Sequence, residues 1–73
     1  MPQYYSDPKN PQGNQYDFYM KNDLGHGFHV RTVAGNVVMR SRDDELGWDK
    51  LIAVPGSSLP ANVLEAFTAF LNV

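Results

Sequence analysis

The stretch FHVRTVAGNVVMRSR, from Phe28 to Arg42, limits the folds open to this chain more than any other segment. Phe28, Val30 and Thr32 alternate with His29, Arg31 and Val33. Past AGN, Val37, Met39 and Ser41 alternate with Val38, Arg40 and Arg42. A period of two marks a half-buried strand, and two such runs joined by a short glycine-containing turn read as a β-hairpin. Gly35-Asn36 suits a type II′ turn with glycine at the first central position. That register sets Arg31 opposite Arg40 and His29 opposite Arg42. A turn at Ala34-Gly35 shifts the pairs by two and keeps the faces, whereas a one-residue slip exchanges them. Like charges opposite each other across strands cost stability, so the basic side of this hairpin requires compensation.

The flanks extend the pattern. YDFYMK places Tyr16, Phe18 and Met20 on one side and Asp17, Tyr19 and Lys21 on the other, which predicts another strand. NDLGHG follows with turn chemistry. Residues 1–14 carry Pro2, Pro8 and Pro11 among Gln, Asn, Asp, Lys and Gly, and predict a flexible N-terminal arm whose large apolar groups are Tyr4 and Tyr5. After the break at RDDELG, WDKLIAV reads as a last strand ended by Pro55-Gly56. SSLPANVLEAFTAFLNV reads as a helix, with Pro60 in its first turn and Asn62 with Glu65 as a capping box. Val63, Leu64, Phe67, Phe70 and Leu71 recur on one face of it.

An antiparallel meander of three to four strands needs a cover for its apolar face, and the C-terminal α-helix is the candidate. The expected fold is α+β, with a single domain over residues 15–73. The expected core is Phe18, Met20, Phe28, Val30, Met39, Ile52, Val63, Leu64, Phe67, Phe70 and Leu71.

At 73 residues the chain is one domain at most. Such a domain buries only about 60% of the surface its unfolded chain exposes, so a partner or a second copy would add useful burial. With no cysteine there is no disulfide, thiolate nucleophile or thiolate metal ligand, which fits a cytoplasmic protein. No basic region precedes an apolar run, so no signal peptide is expected, and no apolar run approaches membrane-spanning length. The net charge of −2 argues against a generic, charge-driven binder of nucleic acid or membrane.

His29, Arg31, Arg40 and Arg42 share the side of the hairpin opposite Phe28, Val30 and Met39 in the expected register. With Tyr19 beside them they form a candidate site for a nucleic acid or a small anionic ligand, since the guanidinium fork matches phosphate and carboxylate. The competing reading is a solvated face neutralised by Asp17, Asp43, Asp44 and Glu45. His26 and His29, with Asp23 nearby, have a metal-like spacing. On a turn entering a strand, however, positions three apart point to opposite faces, and no metal or other cofactor is expected. No motif of catalysis is present, and the run of acids is no spaced carboxylate pair. Tyr4, Tyr5 and Trp48 are candidate interface anchors, and Ala66 and Ala69 candidate small-residue contacts on a second helix face.

Two segments resemble parts of known families. LPANVLEAFTAFL is similar to the opening of an F-box, which needs further helices. FYMKNDLGHGFHVRTVAGNVVMRS is similar to the strand pattern of YegP-like small bacterial domains, which carry Asn-Gly where this chain has Gly35-Asn36. Neither resemblance implies a function here. The expectation is a small non-catalytic protein-interaction domain, binding a protein partner or a second copy as a homodimer. The alternative is a binder of nucleic acid or of a small anion through the basic hairpin face.

Overall fold

The computed structural model describes residues 1–7 and 13–73. Alternation becomes strand in Gln15–Lys21 (β2), Gly27–Val33 (β3) and Asn36–Arg42 (β4). Gln3–Ser6 (β1) and Ile52–Val54 (β5) join them, and the described residues form a five-stranded antiparallel sheet in the order β4-β3-β2-β1-β5. One α-helix, Ala61–Thr68 (α1), packs across β3 and β4. The α+β fold, a meander against a C-terminal helix, is therefore as expected, with a longer sheet.

The extra strand corrects the reading of the N-terminus. Gln3–Ser6 is not a loose arm but an inner strand, with Tyr5 opposite Tyr19 of β2 on one side and Ala53 of β5 on the other. Tyr4 and Tyr5 are good strand formers, and Pro2 lies outside the ladder, so the prolines that argued against a strand do not interrupt it. Residues 8–12 of the expected arm, with Pro8 and Pro11, lie outside the described residues. The expected last strand is also shorter. Trp48–Lys50 is a turn of 3₁₀-helix, and only Ile52–Val54 pairs.

Residues opposite each other in an antiparallel pair share a face. Tyr4, Phe18, Met20, Phe28, Val30, Thr32, Val37 and Val54 therefore face α1. Met20, Phe28, Val30, Val63 and Phe67 are fully buried between the layers. Phe70 stacks on Phe28 at 4.7 Å, and Tyr4 lies 5.9 Å from Phe67. Leu59 and Ala66 join this core although neither was expected there, while Ile52 is 50% exposed and Met39 points to the other face.

Two asparagines fasten the helix. Asn22, 4% exposed, accepts from the backbone N–H groups of Leu24 and His26 and donates to the carbonyls of Phe70 and Val73. It shapes the β2–β3 turn and pins the end of the helical segment with one side chain. Asn62 does not cap α1, which has no side-chain cap; it donates to Gly35 O at 2.7 Å and ties the helix to the hairpin turn.

That turn is Ala34-Gly35, between Val33 and Asn36, rather than Gly35-Asn36. Both residues have positive φ, 53° and 84°, the signature of a type I′ turn. Glycine adopts this backbone freely, whereas alanine is strained there by about 1–2 kcal/mol. Ala34→Asn should therefore raise stability by about 0.5–1 kcal/mol, read as a higher urea midpoint at unchanged m-value.

Candidate functional site

The hairpin carries one residue more in β4 than in β3. Thr32 pairs with Val37 but Arg31 pairs with Met39, so Val38 is the extra residue of a β-bulge. Beyond it every side chain of β4 changes face. His29 stands opposite Ser41 and Arg31 opposite Met39, while Arg40 stands opposite Val30 and Arg42 opposite Phe28. The basic face expected from simple alternation is thus divided. His29, Arg31 and Tyr19 share the helix-free face, and Arg40 and Arg42 share the helix side.

On the helix-free face the polar groups satisfy one another. Asp17, 6% exposed, accepts from His29 Nε2–H at 2.7 Å and from Arg31 Nε–H at 2.8 Å. Tyr19 stacks on His29 at 4.6 Å, with the rings 14° from parallel. Burial, and next the Asp17 carboxylate, push the Tyr19 phenol above its usual pKa. One face of the Tyr19 ring is thus occupied by the His29 imidazole. Among the described residues no buried side-chain nitrogen or oxygen lacks a partner.

Trp48 covers the neighbouring part of this face. Its ring lies 4.9 Å from Tyr5, with Lys21 Nζ 5.7 Å from its centre. Gly27 makes this approach possible: a Cβ there would stand 2.2 Å from Asp43 O and 2.8 Å from the Trp48 ring. No local pattern in the sequence marks Gly27 for this role. Trp48 and Tyr5 are half-buried against each other, and Tyr4 belongs to the helix-side core. Ala66, expected as a contact on the outer helix face, is 8% exposed within the core, whereas Ala69 is exposed.

The two histidines do not converge. His26 Nδ1–H donates to Val73 O at 2.8 Å, while His29 is held by Asp17. Among the described residues, no group of three His, Cys, Asp or Glu side chains is placed to hold a metal ion. No helix of the described residues is long and apolar enough to cross a membrane.

The helix side of β4 is different. Arg42 meets Asp44 in an exposed ion pair at 3.0 Å. Arg40 is exposed and has no ion pair among the described residues. It lines an open groove between β4 and α1 with Val37, Asn62, Glu65, Ala69 and Phe70. No described strand pairs with the outer edge of β4. The backbone phase is fixed by Asp43, whose N–H donates to Gly27 O at 2.8 Å. Hydrogen-bonded and non-hydrogen-bonded pairs alternate, so Arg42 and Arg40 direct their N–H and C=O groups away from β3.

Comparison with protein-family models, curated proteins and solved structures gives no match for this chain.

Removing the Asp17 carboxylate leaves two cationic or donor groups without their acceptor. Asp17→Ala should cost about 2–4 kcal/mol of unfolding free energy, measured by urea denaturation, because Asp17 is buried while Arg31 keeps partial solvent. Asp44 titrates with a definite sign. A hydrogen bond from Arg42, then one from the Gly27 N–H, hold its carboxyl below the usual range. A folded-state pKa below the unfolded one stabilises at neutral pH, and that contribution is lost as pH falls below about 4. Arg42→Ala should move the Asp44 titration, followed by carboxyl NMR, upward toward its ordinary value.

Proposed function

We propose that this chain is a small non-catalytic protein-interaction domain whose docking surface is the outer edge of β4 with the groove beside α1. The observation that carries the reading is the seven-residue edge strand left unpaired by the described residues, with an open groove along it. Past the bulge at Val38 this edge offers the backbone donors and acceptors of residues 39–42 in register, and a neighbouring groove can receive alternate side chains of an added strand. The other edge is a poorer template, since β5 has three residues and runs into Pro55. The polar groups of the helix-free face are engaged with each other, which leaves them little to offer a substrate or an anion. The alternative of nucleic acid or anion binding is less well supported, because its cations lie on two faces and Arg31 is held by Asp17.

A peptide-display selection on the immobilised domain, followed by amide-shift mapping, tests the reading. Selected peptides should perturb the amides of residues 36–42. A selection whose peptides map to the helix-free face, or one that yields none, would overturn it.

Self-pairing through the same edge meets opposition. Antiparallel copies centred on Arg40 set Arg40 against Arg40, and copies centred on Ser41 set Arg40 against Arg42. A register centred on Met39 avoids both clashes but crosses the bulge at Val38 in each copy. Light scattering should therefore give a monomer of 8.2 kDa. Replacing both arginines, Arg40→Val with Arg42→Val, should make the mass rise with concentration.

A further inference from the structure

We infer that the β4 edge takes an extended acidic segment of a partner protein, added as a strand with carboxylate side chains at alternate positions facing Arg40 and Arg42. The inference rests on the docking surface proposed above and specifies the chemistry of its occupant.

Three observations converge on that chemistry. Arg40 and Arg42 are the residues whose backbone groups point outward from the sheet, so an added strand places its own residues directly opposite them. Opposite residues share a face, and here both arginine side chains lie on the helix side, two residues apart. The complement is a strand with Asp or Glu at positions i and i+2 and apolar or small residues between. Those intervening residues turn to the helix-free side, beside Met39 and Ser41.

The third observation is that the charge at this edge is incompletely compensated. Asp44 meets Arg42 in an exposed pair, open to solvent and to competition from another carboxylate, although the Gly27 N–H also holds Asp44. Arg40 has no ion pair among the described residues. Glu65 lines the same groove, so a partner's carboxylates are repelled from the α1 side and have only the β4 arginines to meet. The arginines that oppose a second β4 would also attract an acidic strand, so the same charges serve for exclusion and for selection.

The test uses the whole chain, labelled with ¹⁵N, and three synthetic peptides of about eight residues, a usual strand length. One alternates Glu with Val, one Lys with Val and one Thr with Val. The Glu/Val peptide should perturb the amides of residues 36–42 and bind at least about tenfold tighter than the Lys/Val peptide. Its binding should weaken as salt rises from about 0.05 to 0.3 M. Arg40→Glu, and separately Arg42→Glu, should each weaken it by about tenfold. Both sites are exposed, and an unchanged amide spectrum elsewhere confirms that each variant is folded. If all three peptides bind β4 equally, the acidic specificity is wrong while the docking edge stands. If none perturbs β4, both readings fail. Concentration-dependent shifts along β4 without peptide would show a second copy to be the occupant and overturn the inference.

Discussion

One extra residue in β4 decides what each surface of this domain presents. The type I′ turn at Ala34-Gly35 pairs Val37 with Thr32 on the helix side, where Val37 packs against the core. If strict alternation continued, Arg40 would project beside Arg31 on the other face. The bulge at Val38 instead seats Met39 opposite Arg31 and Ser41 opposite His29, removing a repulsion across the ladder. It costs a break in the ladder and an exposed Val38, 58% accessible, on a strand edge. In return the Asp17–His29–Arg31 cluster forms undisturbed on inner strands, and Arg40 and Arg42 move to the rim. Bulges and charged side chains are also two ways in which sheets blunt an edge against unwanted pairing.

The two layers depend on a similar division between inner and outer strands. The helix covers β3 and β4, yet the core reaches Tyr4 and Val54 because β1 is inserted between β2 and β5. Without β1, β5 has no described neighbour and Phe67 loses its contact with Tyr4. In so short a chain each large side chain is a substantial share of the core, and truncating one such as Phe67 typically costs about 3–5 kcal/mol. The hold of Asn22 on both the β2–β3 turn and the Val73 carbonyl acts in the same direction, fixing the helical segment at its far end.

Much of this was legible in the residues. Period-two alternation placed β2, β3 and β4, and the apolar helical spacing placed α1, because both signals are local and strong. The pairing of Asp17 with the hairpin's cations was foreseeable from charge opposite charge. Three things were not. The prolines of residues 1–14 outweighed the strand propensity of Tyr4-Tyr5, and a strand four residues long carries too little pattern to argue back. The bulge leaves no mark in composition, since Val37, Val38 and Met39 are apolar in a row and read the same in either phase. Gly27 is required by an approach of Trp48 and Asp43 from some 16 to 21 positions away in the chain, a constraint no local window contains.

The division of arginines also explains how an acidic chain can present two guanidinium groups along one edge. The net charge of −2 acts at a distance, and at physiological ionic strength fields fade over about 8 Å. A segment docked on β4 therefore meets the charges within reach, not the average of the molecule. Within reach are Arg40, Arg42 with its exposed partner Asp44, and Glu65 across the groove. The cations of the other face are held by Asp17 and contribute little to that edge. The formal charges within reach cancel, two against two, and Arg40 is the cation among them that has no ion pair among the described residues.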